Sequence, residues 1–115
     1  MSSGPVGLDV KEYAYGVYKY EPPDGNGHSV AANKNWLITK IQFYAASGSS
    51  AQIHLGNRVS VLMTVAAGGC LILEPNGAHR GEIFITNAPG SLLLVEYWFQ
   101  ANPQGSIDIV IDGVP

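Results

Sequence analysis

The sequence predicts an all-β fold, a jelly-roll-like antiparallel β-sandwich of about eight strands in a single domain. Its 115 residues suit one domain with one hydrophobic core. No long window keeps a helical apolar period without a break by glycine, proline or asparagine. Short strand-like segments instead recur between turn signals, which is the pattern of a sandwich or a barrel.

Nine segments have the character of strands, because each is short, rich in apolar or aromatic residues, and ends at turn-forming residues. In order they are 9–20, 28–31, 36–46, 51–55, 58–65, 70–73, 82–87, 92–100 and 106–111. In the first, Tyr13 and Tyr15 share one face and Tyr18 lies on the other, by the two-residue period of a strand. We expect residues 1–27 to form a strand or arm that contacts neighbouring molecules.

Two of these segments predict specific positions in the sandwich. Segment 36–46 is the clearest strand, and strict alternation puts Leu37 and Phe43 on one face and Trp36 on the other. Segment 92–100 is apolar on both faces, which is typical of a central strand covered on two sides.

The cysteine content counts against three alternatives. An immunoglobulin-like sandwich would pair two cysteines around a tryptophan, whereas this chain has one cysteine. That residue, Cys70, stands in an apolar run, so we expect it to be a small buried hydrophobic residue. A lone cysteine also excludes a disulfide framework and a thiolate zinc site.

The charge content excludes further classes of function. Only 13% of the residues are charged and the net charge is −3, so the chain lacks the basic footprint of a nucleic-acid or anionic-membrane binder. No signal peptide and no apolar stretch of membrane-spanning length is visible. We therefore expect a soluble protein that folds in a cytoplasm and binds neither nucleic acid nor membrane.

The histidines do not match a metal site. A sandwich of this size invites comparison with the cupins, whose ligands follow two glycine-containing motifs. His54 stands at the spacing of a first ligand after Gly48, but Gly56 takes the place of the second histidine. In the second motif His79 comes one residue early and Arg80 holds the ligand position. Because a strand-borne site needs at least three converging ligands, we expect no metal and no cofactor.

The carboxylates predict structural rather than catalytic roles. Glu96 stands within an apolar segment, so we expect it to be buried and paired with a cation. The cations considered are Lys40, Arg58 and Arg80. We expect Asp108 and Asp112 to be solvated or in an interface. No nucleophile–base pair and no phosphate-binding glycine loop is present, so the chain is predicted not to be an enzyme.

A small protein normally covers its surface with charge, and this one is short of charge. Interface cores are depleted in charged residues and enriched in tyrosine and tryptophan, so we expect an obligate assembly. The predicted interface residues are Tyr13, Tyr15, Tyr18, Tyr20, Trp36, His79, Arg80 and Trp98.

Two segments resemble small β-sandwich virion proteins of tailed bacteriophages. In those proteins an x-Ala-Asn/Gly-Lys-x-Trp/Tyr-x-Ile-Thr segment precedes a hairpin, and residues 28–41 are similar to it. A later Val-x-Ala-Gly-Gly-x-Leu-x-Leu stretch is matched by residues 65–73. The resemblance covers residues 28–99 and is a pattern of turns and alternation, without a catalytic signature.

The resemblance implies a capsid cement, or decoration, protein that stabilises a phage head by binding between capsid subunits. Its implied partners are further copies of itself, as a homotrimer, and the major capsid protein or other virion proteins. Its implied location is the virion. Two alternatives stay open: a phage tail, fibre or adaptor component, and a carbohydrate-binding module that uses Trp36 or Trp98.

Overall fold

The computed structural model describes residues 13–32, 36–48, 50–56, 59–75, 81–100 and 107–112. Within these ranges it contains nine β-strands. They are β1 (Tyr13–Tyr20), β2 (His28–Ala32), β3 (Trp36–Tyr44), β4 (Ala51–Leu55), β5 (Met63–Val65), β6 (Cys70–Leu73), β7 (Ile83–Thr86), β8 (Leu92–Gln100) and β9 (Ile109–Ile111). The described residues contain no helix that is long and apolar enough to cross a membrane.

The strands form two antiparallel sheets in the order of a jelly roll. The four-stranded sheet runs β1-β8-β3-β6 and the five-stranded sheet runs β5-β4-β7-β2-β9. The first eight strands pair from the outside inwards, β1 with β8, β2 with β7, β3 with β6 and β4 with β5. This nested pairing confirms the predicted jelly-roll-like β-sandwich, and β9 extends the five-stranded sheet beside β2.

The hydrophobic core lies between the two sheets. Alternate residues of each strand point into it, among them Phe43 and Val95 from the four-stranded sheet and Ile53 and Ile85 from the other. All four side chains are fully buried. Burial of such side chains contributes about 1.5–3 kcal/mol each, which is the main force holding the sheets together.

A β-bulge changes the faces predicted for β3. The register against β8 shifts between Ile38 and Lys40, so Thr39 is an extra residue on β3. Residues before the bulge therefore reverse their facing relative to those after it. Trp36 joins Phe43 in the core, and Leu37 lies opposite Trp98 on the other face of the sheet. The predictions that Leu37 shares a face with Phe43 and that Trp36 lies on the opposite one are therefore wrong.

Two predicted strands are shorter in the structure. Of the predicted segment 58–65 only Met63–Val65 is a strand, and of 106–111 only Ile109–Ile111. In the first case the chain follows β4 by a hydrogen bond from the Leu62 amide to the Ile53 carbonyl before regular pairing begins. Residues 59–62 are exposed and lead into β5 without belonging to a strand.

Close packing explains a glycine in β1. Gly16 lies opposite Tyr97 of β8, and the Tyr97 ring folds over it. A Cβ atom at Gly16 would lie 2.7 Å from the ring and the hydroxyl oxygen of Tyr97, closer than carbon atoms can approach. The missing side chain therefore makes room for a large aromatic residue in the core.

Candidate interaction surface

The face of the four-stranded sheet that points away from the core is the main candidate surface. We call it the outer face. It is built by the alternate residues of β1, β8, β3 and β6 that do not enter the core. They are Tyr15, Val17, Lys19, Leu37, Lys40, Gln42, Tyr44, Cys70, Ile72, Leu92, Leu94, Glu96 and Trp98, of which Leu37, opposite Trp98, is buried.

Large apolar side chains are exposed on the outer face. Val17 is 59% exposed, Ile72 58% and Tyr15 47%. Leu94 and Trp98 of the central strand β8 are half-buried beside them. The prediction was that β8 is covered on both faces. Within this chain its core face is buried, and its other face is only half-buried. Several large apolar side chains left exposed on one face of a sheet are typical of a binding surface.

A chain of hydrogen bonds crosses the centre of the outer face. The Tyr15 hydroxyl donates to Glu96 Oε1, and Gln42 Nε2 donates to Glu96 Oε2 at 3.4 Å. The Tyr44 hydroxyl donates to Gln42 Oε1 at 2.7 Å. These three hydrogen bonds link strands β1, β8 and β3 and fix the orientation of two exposed tyrosine rings.

The side-chain partners of Glu96 differ from the expected cation. It is half-buried, and the partners that the structure describes for it are the neutral side chains of Tyr15 and Gln42. Lys40 lies opposite Glu96 in the β3–β8 register, without an ion pair between them in the described part of the chain. The other expected cations, Arg58 and Arg80, lie outside the described residues.

Burial and Glu96 together keep Tyr15 protonated. Burial first, then the hydrogen bond to Glu96 and its negative charge, raise the pKa of Tyr15 to about 12. The hydroxyl, which is a donor at neutral pH already at the ordinary pKa of 10, therefore stays a donor well into the alkaline range. Its ring also packs edge-to-face against Trp98, with 5.3 Å between ring centroids.

The predicted interface residues whose side chains the structure describes separate into three groups. Tyr15 and Trp98 lie on the outer face, whereas Tyr18 and Tyr20 of the same strand β1 pack half-buried against the core. Trp36 is 2% exposed and its indole Nε1 donates to the Gly81 carbonyl at 3.2 Å, so it is not available to a partner.

The remaining predicted interface residues are not described. Tyr13 is placed in β1 opposite Gln100, but its side chain lies outside the described part. His79 and Arg80 lie outside the described residues altogether.

Cys70 is exposed, and the prediction that it is buried is wrong. The reason is its position: β6 is at the edge of its sheet, and Cys70 belongs to the outer face opposite Tyr44. An apolar run alone does not distinguish a core strand from an edge strand with an uncovered face.

A cluster that sequence reasoning missed lies at the end of the five-stranded sheet. His28 Nδ1 donates to Asp112 Oδ2 at 2.8 Å, and His28 Nε2 donates to Asp24 Oδ1 at 2.7 Å. Asp112 Oδ1 also accepts from the Ser29 amide at 2.9 Å, and the Tyr20 ring packs against the imidazole. We call His28, Asp24 and Asp112 the histidine clip.

The histidine clip joins the loop and strand around His28 to a residue 84 positions later in the sequence. It holds the loop before β2 and the residue after β9 to β2 itself. The bond to Asp112 is the largest cause that raises the pKa of His28, and the bond to His28 lowers the pKa of Asp24. Asp112, expected to be solvated or in an interface, is exposed and is also hydrogen-bonded within the molecule.

The other described histidine is enclosed by apolar neighbours. His54 of β4 is buried edge-to-face against Phe84 of β7, with 5.3 Å between ring centroids. Neither of its ring nitrogens has a hydrogen-bond partner. Within the ranges that the structure describes, no group of three or more His, Cys, Asp or Glu side chains is arranged to hold a metal ion.

No protein-family model matches this chain, and no curated protein matches it. The resemblance of residues 28–41 and 65–73 to phage virion proteins therefore stays a prediction. The arguments that follow rest on the geometry of the outer face and on the sequence.

Proposed function

We propose that this chain is a non-enzymatic structural protein of a phage virion, a cement protein that binds as a homo-oligomer between capsid subunits. The observation that carries the proposal is the outer face, an exposed and largely apolar sheet surface with Tyr15, Val17, Ile72 and Trp98 at its surface. Tyrosine and tryptophan are among the side chains that most often anchor protein interfaces, and the aliphatic side chains add apolar area beside them.

The fold and the sequence support this choice among binding functions. Jelly rolls are used by viral capsid proteins, and also by lectins and cupins, so the fold alone does not decide between them. The resemblance of residues 28–41 and 65–73 to phage virion proteins favours the first of these. Four of the nine strands contribute to the outer face, which makes it broad enough for another protein.

The outer face would bind by excluding water from its apolar side chains. Each Å² of apolar surface removed from water contributes about 25 cal/mol. The hydrogen bonds from Tyr15 to Glu96 and from Tyr44 to Gln42 hold the exposed rings in place before binding. Less conformational entropy is then lost when the partner arrives.

A charge placed on the outer face is expected to weaken binding to the shell. In Val17→Lys an ammonium group would have to lose water in an apolar contact, so we expect at least about tenfold weaker binding. The measurement is co-sedimentation of the purified variant with phage heads assembled without this protein.

The matched control is Gln52→Lys, which adds the same charge to an exposed position of the five-stranded sheet and should bind like the unchanged chain. Rising salt should release little protein, because salt screens charge pairs and leaves the contacts of the apolar side chains unscreened. Equal binding of both variants, or release at modest ionic strength, would contradict the proposed surface.

A second candidate function is carbohydrate binding, favoured by the mixture of rings and polar groups on the outer face. Trp98 and Tyr15 could stack on a sugar, and Glu96 and Gln42 offer polar groups beside them. Trp36, the other tryptophan considered for this role, is buried. In Trp36→Phe the remaining fluorescence comes from Trp98, and its quenching by members of a glycan panel would support this candidate over the first.

A further inference from the structure

A second surface, which shares only Cys70 and Ile72 of β6 with the outer face, runs along one side of the sandwich. The stretch 59–73 contains no Asp, Glu, Lys, Arg or His. It supplies β5, which lies at the edge of the five-stranded sheet, and then β6, which lies at the edge of the four-stranded sheet. We call the side formed by residues 59–73 the uncharged side.

A tight turn puts both edges on the same side of the molecule. The turn between β5 and β6 is closed by a hydrogen bond from the Gly69 amide to the Ala66 carbonyl, and Gly68 has a φ of 75° that favours glycine. The Gly68 amide also donates to the Ala46 carbonyl after β3, which fastens the turn to the sandwich. The turn between β5 and β6 therefore joins an edge of one sheet to an edge of the other on this side of the sandwich.

The uncharged side is exposed and apolar. Val59 is 88% exposed, and Val61, Leu62 and Met63 are each more than two-fifths exposed. Among the described strands, β5 pairs with β4 alone and β6 with β3 alone. Exposed apolar edges without charge or proline are prone to pair with other strands, and natural proteins cover or charge them.

We propose that the uncharged side is covered by the same side of a second copy of this chain. A surface without charge can meet itself about a twofold axis with no like-charge repulsion and no ion deprived of water. A partner that presented charged groups would leave them desolvated, because residues 59–73 offer no opposite charge. The lack of charge in residues 59–73 thus favours an uncharged partner surface, and the same side of a second copy is such a surface.

The proposal goes beyond the proposed function, because it concerns the contact between copies rather than the contact with a shell. The outer face stays uncovered in the resulting pair, apart from its margin on β6. Each pair would present two outer faces. The two proposals can therefore fail separately.

The test is the mass of the purified chain in solution, measured by light scattering from micromolar to millimolar concentration. For the unchanged chain we expect the mass of two copies. Leu62→Lys adds a charge at an exposed position on the uncharged side, and we expect a mass of one copy, 12.2 kDa. Thr64→Lys, also exposed and opposite Gln52 on β4, should have the same effect.

Val17→Lys is the control, since it changes the outer face and should leave two copies together. Far-ultraviolet circular dichroism checks that each variant keeps its sheet content. A single-copy mass for the unchanged chain, or a two-copy mass for both folded lysine variants of the uncharged side, would overturn the proposal. A mass of three copies would overturn the twofold contact.

Discussion

Replacing Trp36 by alanine is expected to lower the free energy of unfolding by about 3–5 kcal/mol, the usual cost of deleting a buried tryptophan side chain. Its indole fills the core beside Tyr97, with 5.4 Å between ring centroids, and donates a hydrogen bond to Gly81. The variant would lose this packing and leave the Gly81 carbonyl without its donor. Urea denaturation followed by circular dichroism measures the loss.

Trp98→Ala is the matched comparison, because the same residue type is removed from the half-buried outer face. We expect it to cost less than half as much stability as Trp36→Ala and to weaken binding to phage heads instead. Equal losses of stability in the two variants would show that the assignment of one tryptophan to the core and the other to a binding surface is wrong.

The histidine clip is expected to make stability depend on pH. The pKa of His28 is raised above its ordinary value of 6.5, so its contribution is complete below pH 6.5 and is lost as the pH rises through the raised value. The pKa of Asp24 is lowered from 3.8, so its contribution is present above pH 3.8 and is lost as the pH falls through the lowered value. The clip should therefore stabilise the fold most between these two ordinary values.

Two variants isolate this contribution. His28→Gln removes the titrating ring, and within that pH window we expect a loss of about 1–3 kcal/mol that shrinks as the pH rises. Asp112→Asn keeps an oxygen for the Ser29 amide but removes the charge opposite His28. Denaturation at a series of pH values measures both. A loss that is the same at every pH would mean that His28 acts through packing and not through its charge.

The strand pattern could be predicted from the sequence, whereas the facing of β3 could not. Alternation and turn residues locate the strands, because each is a local property of a few neighbours. The bulge at Thr39 is set by how β3 meets β8, some sixty residues later along the chain. Because of this one extra residue, Trp36 lies in the core and not on the face that strict alternation predicts.

The histidine clip was invisible for a similar reason. His28 and Asp112 are 84 residues apart and meet because β9 pairs with β2. Asp112 reaches His28 from a left-handed backbone conformation, with a φ of 55°, that no pattern of apolar residues indicates. Two acidic residues and a histidine at such spacings resemble ordinary solvated loop residues.

The outer face was predictable in its chemistry but not in its extent. The scarcity of charge and the surplus of aromatic residues indicate that part of the surface is an interface. Which aromatic residues belong to it depends on the sheet that each strand joins. Tyr15 and Tyr18 stand three residues apart in β1 and face opposite sides.

The central claim, that the outer face is covered in an assembled particle, is tested most directly by hydroxyl-radical footprinting of the free chain and of purified particles that contain it. We predict strong labelling of Tyr15 and Trp98 in the free chain and clear protection of both in the particle, with Trp36 protected in both states as an internal reference. Equal labelling of Tyr15 and Trp98 in the two states would contradict the claim.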